Sequence, residues 1–173
     1  MRLKTVFAGP ETEPGLNQAI GDYVSIRLWG VPGRFDRFAS MGVFGGEVLI
    51  AGMIFHNWHR EHGTIEISGA AMDRRWLTRR VLNEMFGMPF DRWGCQTIVM
   101  RCDPADERLK RMLGTAGFTA YWLPRLRGRK QGEVIYLLHD DVWRANPLYR
   151  PNCLPFPAIS WAGDENLRPE PII

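Results

Sequence analysis

Apolar positions along the chain switch between strand-like and helical spacing, and the switches divide it into elements. Leu3 to Ala8 reads as a short strand that Gly9-Pro10 interrupts. Leu16, Ile20, Val24, Ile26 and Leu28 fit an amphipathic helix running to Trp29, with Gly30 just past its end. After a turn at Pro32-Gly33, Ser40 to Phe44 predicts a strand, Gly45-Gly46 a two-residue hairpin turn, and Glu47 to His56 the long partner. Asn57 to Gly63 is a polar connection, and Thr64-Ile65-Glu66-Ile67-Ser68 alternates as a half-buried strand does. Leu77, Val81, Leu82, Met85 and Phe86 then mark one face of a helix from Leu77 to Phe90, with Asp73 near its start. A strand at Thr97–Cys102 follows, then a helix from Asp106 to Thr115 closed by Gly117. A strand through Tyr121, a basic loop Arg125–Lys130, a strand Val134–Leu138 and a short helix Asp140–Asn146 complete the alternation.

Past Asn146 the periodicity stops, and Pro147, Pro151, Pro155, Pro157, Pro169 and Pro171 define a tail. The expected organisation is one domain over residues 1–146 and a proline-rich tail over 147–173. The tail carries Tyr149, Phe156 and Trp161, more aromatic surface than a disordered segment needs, so it is expected to pack along the domain or to dock on a protein partner.

Composition narrows the classes. A chain of 173 residues that is 45% hydrophobic can bury one good core, which excludes a disordered protein. No apolar run approaches the ~20 residues of a bilayer span, and the apolar part of the N-terminus is far shorter than the roughly 7–15 residues of a signal-peptide core. A soluble, cytoplasmic protein without membrane attachment is expected. Cys95, Cys102 and Cys153 are an odd number at wide spacing, which suits a reducing interior and buried thiols; Cys102, at a strand end, is the one nearest to chemistry. A net charge of +3 from 22 basic and 19 acidic residues is too balanced to indicate nucleic acid by itself. Its distribution is more telling: Arg74, Arg75, Arg79 and Arg80 crowd the start of the second predicted helix, where positive charge opposes the helix dipole unless an anion is bound.

Several chemistries are absent from the pattern. His56, His59 and His62 lie around a predicted hairpin connection and match no zinc spacing, so they read as exposed turn residues and no metal is expected. No nucleophile elbow, phosphate loop or dinucleotide fingerprint occurs. The seven tryptophans are scattered over different elements and form no stacking platform.

The order meander, helix, strand, helix ending in Gly117-Phe118, strand, loop, strand resembles the GNAT N-acetyltransferase superfamily, particularly its small members in bacteria and their phages. The resemblance covers about Gly15 to Trp143 and rests on Gly63-Thr64-Ile65-Glu66-Ile67-Ser68-Gly69-Ala70, Arg74-Arg75-Trp76-Leu77-Thr78-Arg79, Arg108 and Gly117-Phe118. It implies a mixed α/β fold, a twisted sheet splayed between its fourth and fifth strands, with helices on both faces and acetyl-coenzyme A in the gap. Diverging strands leave backbone groups unpaired, and a pantetheine arm can pair with them as an extra strand does. The resemblance places those contacts at Ser68, Ala70 and Met72, and the pyrophosphate on the loop and helix start formed by Arg75, Leu77, Thr78, Arg79 and Arg80, with Asp106 opening the next helix.

The sequence departs from that family at three points. Thr78 and Arg80 replace the small residues of its glycine-rich loop, Asp106 replaces its usual Asn, and Leu113 stands where a tyrosine often serves as general acid. Glu66 matches the strand carboxylate that some relatives use as base; its other reading is a solvated strand position. Tyr121 or Tyr136 would supply the missing acid only if its hydroxyl reached the sulfur. The resemblance implies transfer of an acetyl group to a primary amine, on a small molecule or a protein. It places the acceptor between the first helix and loop, here Asp22 to Phe38, and the last hairpin, here Arg125 to Gly132. Arg27, Arg34 and Arg37 with Arg125 and Arg127 favour an acceptor carrying a carboxylate or phosphate. A non-catalytic GNAT-like module, phage-associated and gripping a partner through the tail, and a GNAT-like domain that modifies nucleic-acid bases are the alternatives. A homodimer is a further possible assembly.

Overall fold

The computed structural model describes residues 2–151, so the tail expected over 147–173 lies outside the described residues beyond position 151, Cys153, Phe156 and Trp161 included. The elements follow in the order β1 (Leu3–Ala8), α1 (Pro14–Trp29), β2 (Phe38–Gly45), β3 (Val48–His59), β4 (Thr64–Ala71), α2 (Arg79–Gly87), β5 (Thr97–Cys102), α3 (Glu107–Ala116), β6 (Thr119–Leu123), β7 (Glu133–His139) and α4 (Asp140–Ala145). They build a mixed α/β fold around one seven-stranded sheet in the order β1-β2-β3-β4-β5-β7-β6. β4 and β5 are parallel and every other neighbouring pair is antiparallel. Among the described residues no helix is long and apolar enough to cross a membrane.

Alternation along the strands sends side chains into two cores, with helices on both faces. On one face Ile20 and Val24 of α1 pack on Phe38 and Ile54. On the other, Val81 and Phe86 of α2, Leu113 of α3 and Trp143 of α4 close over Ile65, Ile67, Ile98 and Tyr136. The rings of Phe86 and Trp143 meet edge-on at 5.0 Å, so the last helix is locked to α2. α2 also holds the chain that follows α4: Asn83 Nδ2 donates to the Leu148 carbonyl (2.9 Å), and its Oδ1 accepts from the Arg150 amide (2.7 Å).

Three local expectations are corrected. α1 begins at Pro14, a residue suited to the first helical position because its missing N–H has no intrahelical partner there. It turns Asn17, Ile20, Gly21, Val24 and Ser25 inward, while Ile26 and Leu28 stay exposed; small residues let the helix lie close to the sheet, so its buried face is not its most apolar one. The β2–β3 turn sits one residue later than Gly45-Gly46: Gly45 pairs with Val48, and Gly46, at φ 67°, makes the loop with Glu47. Finally, the helix expected over Leu77–Phe90 is broken. Asp73 caps a one-turn 3-10 helix at Arg74–Trp76, Leu77 and Thr78 are extended, and α2 starts at Arg79 with Thr78 Oγ accepting from the Val81 amide (3.2 Å). At its other end Pro89 has no N–H for the helical ladder, and the chain widens into a π turn over Met88–Arg92.

Candidate active site

The register of β4 against β5 creates the site. Thr64, Ile65 and Glu66 pair with Thr97, Ile98 and Val99, and there the pairing ends. β4 runs on to Ala71 paired only with β3, and β5 runs on to Cys102 paired only with β7. The sheet is therefore splayed between its fourth and fifth strands, with two facing backbone edges, from Ile67 and from Met100 onward, that do not bond to each other.

Side-chain alternation then decides what lines the gap. Ile65 and Ile67 point into the core shared with α2, so Glu66, Ser68 and Ala70 face the α1 side. On β5, Ile98, Met100 and Cys102 point into the same core, which turns Val99 and Arg101 to the face of Glu66. Because Glu66 is level with Val99, Ser68 stands across the opening from Arg101.

A third strand completes the cluster. His56 of β3 lies opposite Glu66, and its Nε2 is 2.9 Å from Ser68 Oγ, one of the two donating to the other. The edge of the His56 ring meets Phe35 of the α1–β2 loop at 5.2 Å. Burial pushes the imidazole below its ordinary value against the opposing pull of Glu66 and Asn57, so the ring is neutral near neutral pH. His56 is thus a half-buried strand residue and not the exposed turn residue expected: it falls at the end of the predicted strand, and β3 runs three residues further, to His59. His62 does lie in the connection, whereas His59 ends β3 opposite Thr64; the rings of these two histidines are 6.2 Å apart. Beyond His56 the β3–β4 register slips, and Asn57 takes the left-handed conformation at φ 49°. Its Nδ2 donates to Glu66 Oε2 at 3.0 Å, fixing the carboxylate.

Arg101 is held from the other side. Glu133, at the start of β7, is 3% exposed and accepts at Oε2 from Arg101 Nε (3.1 Å) and Nη2 (2.6 Å). Its Oε1 accepts from Arg127 Nε (2.9 Å), with Arg127 Nη2 2.9 Å away in the same ion pair. Neither Arg101 nor Glu133 stands out in the sequence, since one Arg inside an apolar strand and one Glu before another carry no spacing signal. Of the acceptor residues expected from sequence, Arg127 belongs to this network, Arg125 is exposed in the β6–β7 loop at φ 61°, and Arg34 lies 5.8 Å from the Trp29 ring.

At the α2 end of the sheet, Arg75, Thr78 and Arg80 join Arg2, Lys4 and Gly46 around a groove of about 910 Å³. Arg75 forks onto Asp73, which that pairing holds down to about 2. Arg79 donates to the carbonyls of Leu148 (3.1 Å) and Pro147, and Arg80 donates to Glu84 (2.7 Å), Thr5 (3.3 Å) and the Leu3 carbonyl (2.9 Å). These arginines find acceptors within the chain, so their position at a helix start does not by itself require a bound anion. Leu77 is half-buried against the core, and Met72 is exposed with its amide bonded to the Ile50 carbonyl. Asp106 caps α3, accepting from the Leu109 amide at 2.9 Å.

The residues near the missing acid are also placed. Leu113 is fully buried, Tyr121 is exposed on the edge strand β6, and Tyr136 is buried on β7 opposite Met100. Burial pushes the Tyr136 phenol up, and it pushes the thiols of Cys95 and Cys102 up to about 12, so all three stay protonated and neither cysteine is a nucleophile.

No family model matches the sequence, and no curated protein matches it. The fold does have counterparts among solved structures. The spermidine/spermine N-acetyltransferase SpeG from Vibrio cholerae aligns at TM-score 0.64 and 13% identity over 83% of this chain and 98% of its own. The yncA protein of Salmonella typhimurium, solved with its cofactor acetyl-CoA, aligns at TM-score 0.56 and 14% identity over 79% and 93%. A GNAT-family protein from Chromobacterium violaceum aligns at TM-score 0.52 and 19% identity over 62% of each chain. The match spans 59% and 65% of the length of two further neighbours. The chain has the fold of the GNAT acetyltransferases.

Proposed function

We propose that this chain is an N-acetyltransferase that moves an acetyl group from acetyl-coenzyme A to a primary amine by direct attack. The carrying observation is the pairing that stops at Glu66–Val99 and leaves an open backbone edge beside Glu66 and Ser68. That opening fits an extended pantetheine: Ser68, Ala70 and Met72 turn their backbone groups to β3, with the Met72 amide on the Ile50 carbonyl, and the alternation leaves those of Gly69 and Ala71 toward the opening, where they offer it a strand's hydrogen bonds. The amides of Arg79 and Arg80, which α2 leaves without intrahelical partners, and the groove side chains Arg75, Thr78 and Arg80 suit the diphosphate, with Leu77 supporting the loop and Asp106 at the next helix start. Acetyl-coenzyme A supplies an activated acetyl thioester; the chain's own residues orient the amine and handle its proton.

Glu66 drives removal of the proton from the attacking nitrogen, directly or through water, with Asn57 fixing its carboxylate and the neutral His56 next to it. A β4 amide near Ala70 polarises the carbonyl. Leu113 offers no hydrogen to the leaving sulfur, so protonation falls to solvent or to Tyr136, the nearer of the two tyrosines to the opening. The neighbours that acetylate spermidine or bind acetyl-CoA support this reading.

Calorimetric titration with acetyl-coenzyme A tests it. Micromolar binding is expected, and Glu66→Gln is expected to retain that binding while losing about 100-fold or more in kcat on any amine accepted. No binding to a folded sample stripped of copurified coenzyme would leave a GNAT-fold module without catalysis, the reading favoured by the buried Leu113.

A further inference from the structure

The charges around the opening are sorted into two ends. Glu66 sits at the last β4–β5 pair, while Arg101 and Arg127 sit further out, joined through Glu133. Glu133 is almost fully buried, but the side chains of Arg101 and Arg127 are 42% and 40% exposed. Arg101 spends Nε and one Nη2 hydrogen on Glu133, and Arg127 spends Nε with its Nη2 2.9 Å from the same carboxylate; a guanidinium has five N–H donors, so each keeps others for an oxyanion. A buried carboxylate between two arginines is a means of holding like charges side by side; without it they would repel and drift apart.

We propose that the acceptor is a zwitterion, an amine that carries its own carboxylate or phosphate. Its nitrogen lies at Glu66 and Ser68, and its acid group is received by Arg101 and Arg127. This rests on the acetyl-transfer reading above and gives it a substrate class. Glu133 is a positioning residue, acting through the two arginines. The same arrangement discriminates against polyamines, because a second ammonium would fall on the guanidiniums and gain nothing from Glu133, whose charge is already matched. The assignment differs from the one based on sequence: Arg101, inside a strand, takes the place of the loop residues Arg34 and Arg125.

The test uses the wild-type chain with saturating acetyl-coenzyme A, after calorimetry has established coenzyme binding. Thiol release is followed with glycine, glutamate, β-alanine, 4-aminobutyrate and 2-aminoethyl phosphate, beside glycinamide, ethanolamine and spermidine. At least one acidic amine is expected to exceed its neutral counterpart about tenfold or more in kcat/KM, and the carboxylate and phosphate arms identify the acid. Arg101→Gln and Arg127→Gln are each expected to raise KM for that amine about 10- to 100-fold, as loss of a hydrogen bond to a charged group does, with a much smaller change in kcat. A preference for spermidine or neutral amines, or bound coenzyme with no acidic amine acetylated, overturns the proposal. Absence of coenzyme binding overturns the acetyl-transfer reading beneath it.

Discussion

Replacing Glu133 by Gln keeps its shape and removes its charge, which isolates what that charge does. In the wild type the carboxylate takes contacts of 2.6–3.1 Å from Arg101 and Arg127. Hydrogen bonds to charged groups contribute roughly 1.5–3 kcal/mol each in mutational series, so simple addition would reach a very large figure. Two effects reduce it. The two arginine side chains are 42% and 40% exposed and regain water when released, and the neutral amide escapes the cost of burying a charge. A net loss of about 1–2 kcal/mol is expected near neutral pH, which for a domain of this size is a fall in Tm of about 3–6 °C.

The pH dependence makes the prediction sharper. Burial alone raises the Glu133 carboxyl, but the hydrogen bonds and charges of Arg101 and Arg127 outweigh it and hold the group below its ordinary value of 4.5. Its folded state is therefore favoured above that value, and the advantage is lost as pH falls through the lower folded value. Thermal melts of wild type and Glu133→Gln should show a constant gap from pH 5 to 8 that closes at more acid pH. An equal gap across the whole range would mean that packing, not charge, distinguishes the two, and no gap at pH 7 would mean that the clamp adds nothing to stability.

Two further expectations concern packing and thiol chemistry. At Gly52, opposite Ala70, an added Cβ would come within 2.8 Å of Val24 and 3.1 Å of Ile20, so Gly52→Val should push α1 off the sheet and cost about 1–3 kcal/mol by denaturant unfolding; an unchanged midpoint would show that α1 is free to shift. Cys95 and Cys102, buried and raised to about 12, should resist iodoacetamide at pH 8 in site-resolved mass spectrometry until the chain is unfolded, and rapid labelling of Cys102 in the native state would contradict its placement in the core.

What the sequence determined by itself was local and periodic. Alternation at Thr64–Ser68 and the apolar run at Thr97–Cys102 are properties of neighbouring residues, and each strand could be assigned without knowing its partner. Gly30 and Gly117 ended their helices in the left-handed conformation, at φ 76° and 98°, because glycine accepts it without steric cost. Glu66 became a candidate only through the family resemblance, because one acid in an alternating strand is common and fits a solvated position equally well. The tertiary structure decided everything that depends on register. His56 was grouped with the turn histidines although it ends the predicted strand, and only the pairing of β3 with β4 brings its ring to Ser68; the slip at Asn57 that reaches Glu66 leaves no mark in composition. Arg101 and Glu133 are 32 residues apart, and only the pairing of β5 with β7 makes them partners. Periodicity reports which side of an element is buried. Which side chains meet across that burial is set by strand order, pairing offsets and the point where β4 and β5 part.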